Sequence, residues 1–418
     1  MFNLDQGRRK VSPRRRFLLW PTASIFVLTV TGVLSRDPLA DALTGKPVET
    51  VGLTFSLGYL VSAPIGGLLD ALSLLTDRQH VAVLLSMVAL IGGRCVARSI
   101  SSTFNCGRIF RELLIAAAAV AAFVAFYGYG VLGVRPMASL HSYDPELAIV
   151  DFHSHTEASH DGRAGLDIRT RREWHRGAGF DLVYVTDHSH VETALEAGAG
   201  NPARAGDGTS LLPGREVVFR DQHVLVLGTN DPTAGISDDS PWPILIQTIP
   251  NNLSRVPGPI HADRGGVQAI ELLDADPRGL RQSVEERDLI LSIADSLDLA
   301  LIAGSNHHGW GRTAAAWTLI RIPGWQSQRP EVVGHQVEVR IRRNRADALQ
   351  VIERRRLKGG TSTESALMAA TTLPRLGWHV LTSLTLQERL AWIAWVVLAT
   401  FLKARLASRE TRTTSHSR

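Results

Sequence analysis

Ala148-Ile149-Val150-Asp151-Phe152-His153-Ser154-His155-Thr156 is the stretch on which the fold of this chain turns. Three apolar residues form a buried strand, and two histidines follow at its end. In extended backbone, residues i and i+2 project to the same side, so His153 and His155 can grip one metal ion together. Ser159-His160-Asp161-Gly162 comes just after. Outward from there, short apolar runs recur: Leu182–Val185, Val217–Phe219, Val224–Leu227, Ala269–Leu272 and Leu299–Ala303. Helical patterns at Asp167–Ala178 and Ser283–Ser296 separate several of them. Strands alternating with helices predict an α/β domain with mainly parallel strands, and Arg342–Lys358 reads as a charged, solvated helix.

The polar residues at the ends of these runs are the informative ones. Gly179-Phe180-Asp181 leads through Leu182–Val185 to Thr186-Asp187-His188. Gly214-Arg215-Glu216 precedes Val217, and His223 opens the run at Val224. His261 stands in Pro259-Ile260-His261-Ala262-Asp263, and Gly304-Ser305-Asn306-His307-His308-Gly309-Trp310-Gly311 follows Ala303. Functional groups gather at the C-terminal ends of parallel strands in α/β folds. Imidazoles and carboxylates collected there suit Zn²⁺, Mn²⁺ or Fe²⁺. Asp187 precedes a candidate ligand and is placed to orient it. Arg163, Arg215, Arg264 and Arg312 are candidates for clamping a phosphate, which the guanidinium matches bidentately.

His153-x-His155-Thr156 with Ser159-x-Asp161-Gly162, then Gly179-x-Asp181 running to Thr186-Asp187-His188, Glu216, two further histidines and Asn306-x-His308 resemble the PHP (polymerase and histidinol phosphatase) superfamily over residues 149–312. The resemblance implies a distorted (β/α)7 barrel with two or three divalent ions (Zn, Mn or Fe) at its C-terminal face, and phosphoester hydrolysis by metal-activated water. It implies that His153 and His155 bind one metal, which Glu216 bridges to a second. Asp161, His188, His223, His261, Asn306 and His308 complete the implied ligand set, and Glu216 and Asp187 are the implied catalytic pair. One motif departs from the family: the usual Asp-x-His here begins with Asn306. An amide oxygen can ligate but brings no charge, so the site lacks one anion at that position.

The rest of the 418-residue chain has a different texture. A basic head (1–16) precedes apolar runs at Phe17–Leu34, Val51–Leu69, Val81–Gly93 and Leu113–Val134. These predict three or four membrane segments over 17–134, since about 20 apolar residues span a bilayer. A linker (135–148), the hydrolase-like domain (149–345) and a helical extension (346–388) follow. An apolar, tryptophan-bearing helix (389–403), spanning or interfacial, precedes a basic tail (404–418). Residues 135–402 carry 27 Lys and Arg against 32 Asp and Glu, so the net +5 resides in the membrane-flanking segments. That distribution speaks against a nucleic-acid partner. Two cysteines exclude a disulfide framework.

Counting spans returns the domain to the cytoplasm. The positive-inside rule, applied to Arg94, Arg98, Arg108 and Arg111, slightly favours the opposite side. The expectation is an integral protein of the bacterial inner membrane. Its expected activity is that of a membrane-anchored metal-dependent phosphoesterase acting on a phosphorylated small molecule or a lipid headgroup. A non-catalytic metal- or ligand-binding module with a signalling or assembly role, and hydrolysis of a non-phosphate substrate, are the competing readings.

Overall fold

The computed structural model of the protein describes residues 13–100, 106–188, 191–219, 221–227, 243–256, 266–357 and 365–415. In chain order the first elements are α1 (Pro13–Val33), β1 (Leu39–Asp41), β2 (Val51–Thr54), α2 (Leu57–Val61), α3 (Ala63–Ser73), α4 (Asp77–Ile100) and α5 (Cys106–Leu132). Then come β3 (Ser139–Ser142), β4 (Leu147–Asp151), α6 (Ile168–Ala178), β5 (Leu182–Val185), α7 (Glu192–Ala199), β6 (Ser210–Phe219), β7 (Gln222–Leu227), β8 (Ile244–Gln247) and β9 (Ala269–Leu273). The last are α8 (Pro277–Arg281), α9 (Val284–Ser296), β10 (Ala300–Ala303), β11 (Ala316–Arg321), α10 (Pro330–Asn344), β12 (Gln350–Arg354), α11 (Ser365–Ser383) and α12 (Leu386–Ser415).

One ten-stranded sheet organises the α/β part, in the order β1-β12-β11-β4-β5-β6-β7-β8-β9-β10. It curls until its far strand meets β11: the Ala303 N–H donates to Thr318 Oγ1 at 2.8 Å, and that hydroxyl faces the Ala303 carbonyl at 3.1 Å. The expectation of mainly parallel strands needs correction. β4–β5, β5–β6, β8–β9 and β9–β10 are parallel, while β6–β7, β7–β8, β4–β11, β11–β12 and β1–β12 are antiparallel. The reversal after β6 passes through Asp221, whose φ of +63° is the left-handed conformation a tight hairpin turn demands.

Strand alternation divides the core. Val150, Leu182, Tyr184, Leu225, Ile246 and Ile302 fill the concave side with Val333, Val337 and Ile341 of α10. Ile149, Val183, Val185 and Trp317 face outward beneath α6 and α7, and Ile270 and Leu272 lie beneath α8 and α9. Each fully buried Leu or Val of β5 is worth about 1.5–3 kcal/mol relative to exposure.

Two further expectations change. The Arg342–Lys358 stretch is not one helix: α10 stops at Asn344, and β12 inserts between β1 and β11. Its charged residues suggested a solvated helix, but Val351 and Ile352 are buried and supply the strand. The Val51–Leu69 run is not one span either. β2 pairs with β3, Ser56 caps α2 by accepting from the Tyr59 N–H, and α3 starts afresh with Pro64 in its first turn.

Among the described residues two helices, α4 over Asp77–Arg98 and α5 over Ile109–Leu132, are long and apolar enough to cross a membrane. α1, α3, α4, α5, α11 and α12 share an apolar cluster that includes Leu28, Leu69, Val83, Tyr127 and Leu376. Asp70 on α3 joins this bundle to the sheet. Its buried carboxylate pairs with Arg135 after α5 and, at 2.9 Å, with Arg354 on β12.

Candidate metal centre

The ends of β4, β5, β9 and β10, with the middle of β6 and the start of β7, meet at one edge of the sheet. Above them lies a cavity of about 450 Å³ lined by His153, Asp161, His188, Glu216, His223 and His308, among others. At its floor, His153 Nε2 and His155 Nε2 stand 3.1 Å apart, and Glu216 Oε2 lies 3.2 and 3.3 Å from them. Each imidazole is oriented from behind. His153 Nδ1 lies 3.1 Å from Glu271 Oε1. His155 Nδ1 is 3.3 Å from Ser159 Oγ, whose hydroxyl donates to Asp161 at 2.9 Å. Those contacts place the Nδ1 protons outward and aim both Nε2 lone pairs at one point with a carboxylate oxygen, the donor set a divalent cation takes.

Two further groups adjoin the first. Asp161 Oδ2 lies 3.4 Å from His188 Nε2 and 3.2 Å from His308 Nε2. The His308 and His155 rings stack at 4.2 Å, bringing His155, Asp161, His188 and His308 together. Glu216 Oε1 lies 2.7 Å from His223 Nδ1, and Oε2 lies 3.5 Å from His188 Nδ1, so the one carboxylate connects both groups to the first. Burial alone would raise the Glu216 carboxyl, but His153 and the other imidazoles around it hold it far below the usual range. Burial also raises Asp161, yet His308 and Ser159 outweigh it and bring the group down to about 2. These residues fit divalent cations: nitrogens and ionised carboxylates of several elements converge on the same small volume.

Local sequence explains the placement. Asp151, fully buried at the end of β4, accepts from the backbone N–H of His153 and of Ser305 and contacts His175 Nε2 at 2.8 Å. It thereby ties the His153–His155 loop to the Asn306–His308 loop and to α6. Gly304 permits the closest approach: a Cβ there would lie 2.4 Å from both His153 Cβ and Glu271 Oε1.

The sequence-predicted residues separate into those brought together and those not. His153, His155, Asp161, His188, Glu216, His223 and His308 converge. His261 and Arg264 lie outside the described residues. Asp187, expected in the catalytic pair, faces Thr156. Both its oxygens serve Thr156, accepting from the backbone N–H at 2.6 Å and the hydroxyl at 2.7 Å, and it does not line the cavity. Of the arginines, Arg312 lines the cavity. Arg163 donates to Gly309 O instead, and Arg215 projects to the opposite side of β6 from Glu216.

Asn306 contributes through its amide. Its Nδ2 donates to Asp274 Oδ2 at 3.1 Å, and its Oδ1 is buried without a hydrogen-bond partner. His307 does not replace the missing anion, since its Nδ1 accepts from Arg171 at 3.0 Å while the ring stacks on Trp174.

Glu271 and Asp274, both buried, were not singled out in the sequence; with His153 they form a further group able to hold a cation. Burial, then repulsion from Glu271 and Asp276, raises Asp274 to about 8. A glutamate inside the apolar run Ala269–Leu273 was the available signal for this pair. Arg278, also unmarked in the sequence, lines the cavity.

No family model matches the chain, and no curated protein matches it. Among solved structures it is similar to PsfC from Pseudomonas syringae, with 14% identity and a TM-score of 0.34, over 56% of this chain and 98% of that one. It is also similar to a protein from Bifidobacterium adolescentis named as a candidate metal-dependent phosphoesterase. There the identity is 18% and the TM-score 0.27, over 44% of this chain and 94% of that one.

Proposed function

We propose that the chain is a membrane-anchored, metal-dependent phosphoesterase of PHP type, its curled sheet being a distorted (β/α)7 barrel. The observation that carries this reading is the convergence of His153, His155 and Glu216, with Asp161, His188, His223 and His308 continuous with them through shared carboxylates. His153, His155 and Glu216 would hold one ion. Asp161, His188 and His308, with His223 through Glu216, would hold one or two more. Divalent cations bound there polarise a phosphoryl group and lower the pKa of water. Arg278 and Arg312 at the cavity wall bind the anionic substrate. Glu271 fixes the His153 tautomer, and Asp187 and Asp151 fix the loops that carry the ligands. Glu271 and Asp274, grouped with His153, would offer carboxyl groups to a cation beside the amide at 306, which supports the catalytic reading over a non-catalytic module.

The test is a panel of p-nitrophenyl phosphomonoesters and phosphodiesters with full-length protein purified in detergent and supplied with Mn²⁺ or Zn²⁺. The reading expects turnover that chelation abolishes and that Glu216→Gln lowers at least about 100-fold while the protein stays folded. Undiminished turnover in that variant would contradict the site. Membrane anchoring is tested separately: the chain should stay in the membrane pellet after an alkaline carbonate wash.

A further inference from the structure

We infer that the substrate is a membrane-resident amphiphile, a lipid phosphoester whose phosphate enters the metal cavity from the base of the α4–α5 hairpin. The inference rests on the phosphoesterase reading above and adds the substrate class.

Both near ends of the hairpin abut the rim of the cavity. Asp77, the first residue of α4, lies 3.5 Å from Arg281 on α8, and Pro277 and Arg278 of that helix line the cavity. Where α5 ends, the chain touches the loop carrying His308. Gly311, at φ +61°, lies so close that a Cβ would stand 2.2 Å from the Gly133 carbonyl oxygen. Arg163 ties the same two segments, donating to Gly309 O at 3.1 Å and Leu132 O at 3.5 Å, with its guanidinium 5.5 Å from the centre of the Trp310 ring. Trp310 remains 43% exposed on the rim. Arginines and an exposed tryptophan where apolar helices emerge are the composition of a membrane–water interface.

A second cavity, of about 490 Å³, lies directly beside the first and shares Trp174 and His307 with it as a common wall. Its lining sets Val134, Pro136 and Met137, which continue from α5, and Leu166 beside Arg135, Glu173 and Arg176, and most of its surface is apolar. A phosphoester seated between Arg278 and Arg312 therefore has an apolar groove next to it, on the side from which the hairpin arrives. A lipid fits this pairing: the charged headgroup takes the metal cavity and the proximal apolar part takes the groove. In the reaction the water oxygen forms the new P–O bond and the P–O bond to the lipid alcohol breaks. One water proton ends on that alcohol and the other stays on the released phosphate, with no change of oxidation state.

The experiment uses the full chain in phosphatidylcholine vesicles with Mn²⁺. Dioleoyl phosphatidic acid and its glycerol diester are compared with the water-soluble dibutyryl compounds, and with p-nitrophenyl phosphates as a control. Confining enzyme and lipid to one bilayer raises their effective concentration, which predicts a kcat/KM preference of about 100-fold or more for the dioleoyl esters. Val134→Glu, at an exposed position of the groove, narrows that preference about tenfold, and Trp310→Ala narrows it in the same direction. A diazirine-tailed phosphatidic acid labels residues 134–137 even in metal-free protein. Equal cleavage of long and short esters, with soluble substrates hydrolysed as before, overturns the inference and leaves the phosphoesterase reading standing. Failure to hydrolyse any ester, p-nitrophenyl compounds included, overturns both.

Discussion

Asn306 and Asp274 share one hydrogen bond, and Asp274 would supply the negative charge that the motif lacks at residue 306 once a bound cation displaces the proton that burial and Glu271 keep on it. The amide also holds the Asp274 carboxyl in place beside Glu271 and His153. Asp274→Asn therefore lowers the affinity for a divalent cation about 10- to 100-fold, read by competition with a fluorescent chelator. Adding Asn306→Asp to that variant restores part of the loss, and no restoration would mean that the charge at this pair is irrelevant. Glu338 on α10 offers an independent test of the barrel interior. It faces Tyr184 from the buried side of the sheet, and burial, against the hydrogen bond from Tyr184 and the charge of Arg342, raises it to about 7 from 4.5. A carboxyl raised by folding costs stability above its unfolded pKa, and the cost is complete above its folded one. Glu338→Gln should therefore raise the thermal midpoint more at pH 8 than at pH 5; an equal gain at both would show that the group is ionised throughout.

Among the elements, the sequence was most legible where apolar runs were short and bounded. β5 coincides with the expected Leu182–Val185, and α6 and α9 fall within the expected helical stretches Asp167–Ala178 and Ser283–Ser296. The ligands at the ends of β4 and β5 were legible for the same reason, a polar group after an apolar run marking a strand end, and Glu216 inside β6 stood out as a carboxylate just before the run Val217–Phe219. Glu271 escaped because it lies inside its run, and Asp274 because two leucines separate it from Glu271 with nothing to announce a partner at 306. β1 and β12 escaped because their pairing joins residues far apart in the chain. α6 carries Arg171, Trp174 and His175, which brace the loops of the site. The Asp167 side chain accepts from the Thr170 N–H at its start. Asp167→Ala should cost about 1 kcal/mol, measured by chemical unfolding, and a cost near zero would mean that tertiary contacts alone fix the helix.

At the scale of the whole molecule, an apolar bundle and a curled sheet are joined through Asp70, Arg135 and Arg354, with the candidate metal centre at the edge facing the α4–α5 hairpin. The apolar run of α5 was legible from its length, whereas Val81–Gly93 inside α4 is short for a span and reaches that length only within the helix Asp77–Arg98. The joint was not, since one aspartate among apolar residues does not reveal which arginines it meets. The central claim is that this edge binds divalent metal through His153, His155 and Glu216. Elemental mass spectrometry of detergent-purified protein, wild type beside His153→Ala/His155→Ala, tests it most directly. The account predicts two or three equivalents of Zn, Mn or Fe in the wild type and a loss of at least one in the folded variant. Near-zero metal in folded wild type, even after reconstitution with these ions, would contradict it.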